Sequence, residues 1–159
     1  MDSGQLAARW FYKRYYGFRT IPPPDGQAAH GRALLCCANG DGTLSEAERD
    51  WVLGYSAAKG YDASLVEELK HYPANEDIVA LVTSHPALNS NRLCLVHDAL
   101  CACLADGELT DGEWKTVLRM AAKLDVAEDQ VIAIRDAIAA ETNAREARIK
   151  LIYPNQIPF

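Results

Sequence analysis

The sequence contains no apolar run of 18 residues and no apolar N-terminal segment of the kind that forms the core of a signal peptide. The first absence argues against a membrane-spanning helix, which needs about 20 consecutive apolar residues. The second favours a cytoplasmic protein. The cysteines are odd in number and all lie in apolar segments, so we interpret them as reduced, buried residues. They are Cys36, Cys37, Cys94, Cys101 and Cys103.

The common catalytic signatures are also missing. There is no phosphate-binding glycine loop, no Gly-x-Ser-x-Gly, no His-Glu-x-x-His and no Cys-x-x-Cys. The net charge of -6 does not favour a nucleic-acid partner. We therefore expect a protein that is not an enzyme and does not bind nucleic acid.

No stretch alternates polar and apolar residues as a strand does, so the predicted class is all-α, with about seven to eight helices. The chain divides into three segments. Residues 1–26 form an aromatic, basic helix followed by the linker Pro22-Pro23-Pro24, and residues 27–150 form a helical domain. Residues 151–159 form an extended tail.

One turn occurs twice. Asp-Gly, Leu, Ser or Thr, and Glu recur at the same offsets in residues 41–48 and 106–113. The flanking segments 35–57 and 100–122 align without a gap at a spacing of 65 residues. Two such helix-turn-helix units are expected to bury their apolar faces against each other about a pseudo-twofold axis.

The turn resembles half of an EF-hand, but the other half is absent. With Gly42 at loop position 6, position 1 is Cys37, and in the second copy it is Ala102. Neither residue can ligate a hard cation. By contrast, Ser45-x-x-Glu48 and Thr110-x-x-Glu113 have the pattern of capping boxes, in which hydroxyl and carboxylate each accept a backbone N–H. Helix capping alone would account for every polar residue of the motif.

A further interpretation adds function to the caps. If the two turns converge, their carboxylates form a cluster that a divalent cation such as Ca²⁺ or Mg²⁺, or a basic partner, could neutralise. No cofactor beyond such a cation is expected. The candidate residues are Asp41, Glu46, Glu48, Asp106, Asp111 and Glu113.

The run 105–113, followed by Ala121-Ala122-Lys123-Leu124, resembles the TerB-like family of tellurite-resistance proteins and DnaJ-type co-chaperones. The resemblance covers residues 28–147. It implies a compact fold of about seven helices, an acidic surface that meets metal ions or partners, and a non-catalytic role in stress responses near membranes. The matching acidic positions are Asp41, Glu48, Asp106 and Glu113. The first copy departs from the pattern, since Asn39-Gly40 replaces the Leu104-Ala105 of the second.

Two other patterns carry alternative functions. Cys94, His97 and Cys101 lie on one helical face, where Cys36 or Cys37 could complete a zinc site. His97 and Cys101 could instead act as base and nucleophile of an enzyme, provided that a pocket reaches them.

The termini offer another possibility. Residues 9–19 hold Arg9, Lys13, Arg14 and Arg19 among aromatic residues and contain no acid. Such a patch suits a protein partner or peripheral attachment to a membrane, although an ordinary amphipathic helix with its rings on the core has the same composition. The tail, with Tyr153, Ile157 and Phe159, either docks on the domain or binds a partner.

Overall fold

The structure is a computed structural model, and it describes residues 1–158. Within them lie nine α-helices, one short 3-10 helix and no strand, so the all-α prediction is confirmed. The helices are α1 Ser3–Tyr16, α2 Gln27–Ala38, α3 Glu46–Ala58, α4 Ala63–His71, α5 Ile78–Ser84, α6 Ala87–Ser90, α7 Arg92–Cys103, α8 Asp111–Lys123 and α9 Glu128–Ile152. The 3-10 helix, Leu104–Asp106, follows α7 directly.

Helices α2 and α7 form the centre of the molecule. They pack on each other over most of their length, and α3, α5, α8 and α9 surround them. Both central helices are apolar nearly all round, because each contacts neighbours on every side. The most deeply buried large side chains include Leu34, Leu35, Leu95, Leu100 and Met120.

The two repeated units have matching helix ends. α2 and α3 begin and end 65 residues before α7 and α8. Leu44 and Leu109, which occupy the same place in the two turns, both pack against the core. The internal duplication itself stays a prediction.

Local hydrogen bonds and the length of α9 set the remaining helix boundaries. Helix α5 starts at Ile78, because the side chain of Asp77 accepts the N–H of Ala80. Residues Ala87–Ser90 form a separate turn of helix before α7. α9 continues to Ile152, so Leu151 and Ile152 of the expected tail are helical. Phe159, which also belongs to that tail, lies outside the described residues.

Every helix within residues 1–158 is too short or too polar to cross a lipid bilayer.

Candidate functional site

The two repeated turns are built by the predicted capping boxes. At the start of α3, Ser45 Oγ accepts the N–H of Glu48 at 3.2 Å, and Glu48 Oε2 accepts the N–H of Ser45 at 2.7 Å. At the start of α8, Thr110 and Glu113 exchange the same two bonds, at 3.3 Å and 3.1 Å. These four hydrogen bonds confirm the capping prediction. Such a prediction is possible from sequence because the paired residues lie only three positions apart.

The first turn lies against the start of α8. A Cβ on Gly112 would stand only 2.6 Å from Asp41 Cα, and one on Gly40 would stand 2.7 Å from the Gly112 carbonyl oxygen. Only glycine at both positions permits this approach of two backbones. It also gives a physical reason for Gly40, where the second copy has Ala105. We call the two neighbouring turns, residues 39–48 and 104–113, the double turn.

The double turn places two buried carboxylates close enough to repel each other electrostatically. Glu48 is 1% exposed and Glu113 is 2% exposed. Burial raises the pKa of Glu113 to about 7, with added repulsion from Glu48 and Asp41. Burial, together with repulsion from Asp106 and Asp41, also raises the pKa of Glu48. The second carboxylate oxygen of Glu48, Oε1, is buried without a hydrogen-bond partner.

The other four predicted acids are exposed. Asp41 and Asp106 accept the N–H groups of Thr43 and Glu108 within their own turns, while Glu46 and Asp111 open helices α3 and α8. In the part of the chain that the structure describes, no cation pairs with any of the six carboxylates.

The donor set does not fit a closed metal cage. Among residues 1–158, no three or more His, Cys, Asp or Glu side chains are placed so that they could hold a metal ion. Ca²⁺ needs six to eight oxygen ligands, so the double turn offers a negative surface and not a complete coordination shell. The cysteines considered for zinc have other neighbours: Cys36 Sγ contacts the Tyr72 hydroxyl at 3.4 Å, and Cys37 Sγ lies 3.8 Å from Met120 Sδ.

A second polar cluster, absent from the sequence predictions, surrounds Asp98 in the middle of α7. The Asp98 side chain is fully buried. It lies 2.9 Å from His30 Nε2, 2.9 Å from His97 Nδ1 and 3.0 Å from the Tyr16 hydroxyl, with Lys59 Nζ at 3.6 Å. Although burial opposes ionisation, the hydrogen bonds from His30 and His97 hold the pKa of Asp98 well below its usual range. We call these residues the Asp98 cluster.

The lysine of the Asp98 cluster is enclosed by aromatic rings. Lys59 is 7% exposed, and its Nζ lies 4.8–6.0 Å from the centres of four tyrosine rings. Ring faces attract a cation and replace part of its lost hydration. The four are Tyr12, Tyr16, Tyr55 and Tyr61. An aspartate inside an otherwise apolar helix was the sequence signal for this cluster, since a buried charge requires partners.

His97 and Cys101 lie one helical turn apart at the edge of the Asp98 cluster. The Cys101 sulfur stands 3.8 Å from His97 Nε2, and both residues are half-buried. Two shallow surface hollows lie elsewhere. One is lined by Met1, Gln5, Arg9, Arg19, Thr20 and Ile21, and the other by Ser90–Cys94.

Helix α1 divides its rings between core and solvent. Phe11 and Tyr12 are buried, whereas Leu6 and Trp10 are 61% and 63% exposed. The basic residues of α1 share the outward side with Leu6 and Trp10, and all of them are exposed. Arg9 and Arg19 border the same shallow hollow. We call this side the outer face of α1.

The comparisons with known proteins identify one relationship. No protein-family model and no curated protein matches the sequence. Among solved structures, the crystal structure of a tellurite resistance protein from Nostoc punctiforme matches 100% of this chain and 99% of its own, with 29% identity and a TM-score of 0.86. The match includes α1 and the C-terminal tail, to which the motif resemblance did not extend. The chain therefore has the TerB-like fold that its repeated turn predicts.

Proposed function

We propose that the protein is a non-catalytic TerB-like binding module whose double turn binds a basic segment of a partner protein. The observation that carries the proposal is a group of four mutually repelling carboxylates, Asp41, Glu48, Asp106 and Glu113, of which two are buried and none forms an ion pair among the described residues. The similarity to a tellurite resistance protein supports a role for this binding in a stress response.

The electrostatics of the double turn favour a cationic ligand. Glu48 and Glu113 are held by their N-cap residues and cannot turn away from each other, so their repulsion is relieved by a proton or a cation. A bound ammonium or guanidinium group would donate hydrogen bonds to carboxylate oxygens such as those of the exposed Asp41 and Asp106. It would also lower the pKa of Glu113 and so release a proton.

A protein cation suits this surface better than a naked metal ion. A Lys or Arg side chain needs only one or two carboxylates, whereas Ca²⁺ needs a shell that the described residues do not complete. Ca²⁺ and Mg²⁺ remain the competing ligands that an experiment must include.

The experiment is a calorimetric titration of the full chain at pH 7 and low salt with a Lys/Arg-rich peptide, with Ca²⁺ and with Mg²⁺. We expect the peptide to bind and its heat to differ between buffers of different ionisation enthalpy, because Glu113 releases a proton. Asp41→Asn combined with Asp106→Asn should weaken binding by about tenfold or more. The matched control, Glu141→Gln combined with Glu146→Gln, changes the net charge equally on the exposed side of α9.

If the two double variants lose the same amount of peptide affinity, the loss is due to overall charge, and a site at the double turn is contradicted. If Ca²⁺ or Mg²⁺ gives binding heat and the peptide does not, the ligand of the double turn is an inorganic cation and not a basic protein segment. No heat from any of the three ligands would reject the double turn as a binding site.

A second candidate function rests on the outer face of α1. Exposed Trp10 and Leu6 next to exposed Arg9, Lys13 and Arg14 have the composition of a helix that lies in the interface of an anionic membrane. This arrangement supports peripheral attachment to a membrane. Since Phe11 and Tyr12 are part of the core, deletion of α1 would disturb the fold, and point variants are the better test.

Sedimentation with liposomes tests this candidate. The full chain should sediment with vesicles that contain an anionic phospholipid and remain in the supernatant with purely zwitterionic vesicles. Trp10→Ala with Arg9→Gln should abolish sedimentation. Lys123→Gln with Lys150→Gln removes exposed cations elsewhere and should leave it unchanged. Sedimentation that is equal for the two lipid compositions would contradict the charge-based attachment.

A further inference from the structure

Cys101, His97 and Asp98 form a connected row of side chains on α7. The Cys101 sulfur lies 3.8 Å from His97 Nε2, and the opposite ring nitrogen, Nδ1, lies 2.9 Å from Asp98 Oδ1. A thiol on one nitrogen of an imidazole and a carboxylate on the other is the connectivity of an activated nucleophile. Here the row results from one turn of helix, since Cys101 follows His97 by four residues.

The carboxylate end of the row is fixed by the rest of the fold. The Tyr16 hydroxyl donates to Asp98 Oδ1 at 3.0 Å, and His30 Nε2 lies 2.9 Å from Oδ2. The ionised Asp98 orients the ring of His97 through Nδ1, so that Nε2 is directed at sulfur. The hydrogen bond to Asp98, assisted by the Cys101 contact, raises the pKa of His97 to about 10. The ring is therefore an imidazolium at neutral pH, with an N–H facing the sulfur.

The ionisation of the other cysteines is disfavoured by burial. Burial raises the pKa of the Cys94 thiol to about 12, and it also raises the pKa values of Cys36, Cys37 and Cys103. Thiols whose ionisation is disfavoured react slowly, because the thiolate is the nucleophile. Cys101 combines a partly exposed side chain with a cationic N–H next to its sulfur, which is the environment in which cysteines become reactive.

We propose that Cys101 is a redox-reactive thiol, that peroxides oxidise it, and that His97 is its proton partner. The sulfur attacks one oxygen of hydrogen peroxide, the S–O bond forms and the O–O bond breaks. Sulfur is oxidised by two electrons to the sulfenic acid, and the leaving hydroxide takes a proton from the thiol–imidazolium pair and departs as water. This site is separate from the double turn and does not depend on the function proposed for it.

The product is expected to stay a sulfenic acid until a small thiol reacts with it. Cys94 lies seven residues earlier on the same helix, roughly 10 Å away along the axis, which is too far for a disulfide. Cys103, Cys36 and Cys37 are buried. A mixed disulfide with an external thiol is therefore the expected second product.

Trapping of the sulfenic acid tests the proposal. The reduced full chain is treated with limiting hydrogen peroxide and dimedone, and the labelled cysteine is identified by mass spectrometry. We expect Cys101 to be labelled first, His97→Gln to slow the labelling by about tenfold or more, and Cys36→Ser, whose sulfur contacts Tyr72 and not the Asp98 cluster, to leave the rate unchanged. Circular dichroism confirms that the variants are folded.

A second measurement needs no variant. Iodoacetamide labelling of the folded chain is compared with labelling of the chain unfolded in urea. Cys101 should react faster in the folded chain, whereas the other four cysteines should react faster when unfolded. Slower reaction of Cys101 in the folded chain, first labelling at another cysteine, or a rate that His97→Gln does not alter would each overturn the proposal.

Discussion

At the scale of single residues, Asp98 shows how one charge can determine the surroundings of several helices. The carboxylate is fully buried, and its partners come from α1, from α2, from Lys59 directly after α3, and from its own helix. A buried charge is tolerated only while its partners neutralise it and satisfy its lone pairs. The dependence is mutual, because Asp98 also satisfies the buried polar groups of Tyr16, His30 and Lys59.

We predict that Asp98→Ala destabilises the fold severely. Removal of the carboxylate leaves the Lys59 ammonium buried without its counter-ion, at a cost of about 3–5 kcal/mol in the free energy of unfolding. Urea denaturation measures the change. Asp136→Ala, which removes an exposed carboxylate from α9, should stay within about 0.5 kcal/mol of the parent chain. A similar small effect of both substitutions would show that the Asp98 cluster contributes little to stability.

Sequence reasoning succeeds for residues whose partners are near in the chain. The caps of α3 and α8 were predictable because Ser45 and Glu48, or Thr110 and Glu113, lie three positions apart. The Asp98 cluster was not, because His30 and Tyr16 are separated from Asp98 by 68 and 82 positions. The sequence analysis did not single out Asp98, and only the packing of the helices around it identifies its partners.

We predict that Glu113→Gln stabilises the protein at pH 8 and has little effect below pH 5. The pKa of Glu113 is raised from 4.5 to about 7, so the folded chain retains a proton that the unfolded chain has released between these values. The contribution of Glu113 to stability is thus fully present below pH 4.5 and is lost as the pH rises through about 7. Glutamine is uncharged and can still accept the N–H of Thr110. The expected gain at pH 8 is roughly 1–3 kcal/mol.

Urea denaturation of the parent chain and of the Glu113→Gln variant at both pH values measures the difference. Glu141→Gln on the exposed side of α9 is the control, for which we expect no pH-dependent change. A variant that loses more stability at pH 8 than at pH 5 would contradict the raised pKa.

At the scale of helices, the repeat predicted the elements more accurately than it predicted their contacts. The starts of α3 and α8 follow from the capping boxes within each unit. The contact of Gly40 with Gly112 joins the two units, so neither unit alone reveals it. The sequence showed only that Asn39-Gly40 departs from the second copy, and the close approach of the backbones gives the physical reason for Gly40.

Gly112→Ala is predicted to destabilise the double turn, whereas Gly54→Ala should stabilise α3. The Cβ at position 112 would meet the Asp41 backbone at 2.6 Å, so the first turn must move, at a cost of about 1–3 kcal/mol. Gly54 lies within α3 with open space around its Cβ position, and alanine there should add about 0.5–1 kcal/mol through its helix propensity. Thermal denaturation of the two variants and of the parent chain measures both changes in stability. Stabilisation by both alanines would mean that the turns are not in close contact.

At the scale of the whole molecule, helix α9 extends beyond the core. Its first half packs through Val131 and Ile138, both of which are buried. From residue 139 to the end of the helix every side chain is exposed except the half-buried Ile149. Leu151 is 84% exposed. Since tertiary packing supplies most of the stability of helices in proteins, the two halves of α9 should differ in stability although they form one continuous helix.

Hydrogen exchange measured by mass spectrometry tests this difference. We predict that backbone amides of residues 139–152 exchange at least about tenfold faster than those of residues 128–138, because opening the outer half exposes little apolar surface. Residues 92–103 of α7, buried on nearly every side, should be the slowest and serve as the internal reference. Equal protection along the whole of α9 would contradict the prediction. It would mean that the apolar side chains at the end of α9 are covered in solution, by the tail or by a second molecule, and a repeat of the measurement over a range of protein concentrations separates these two cases.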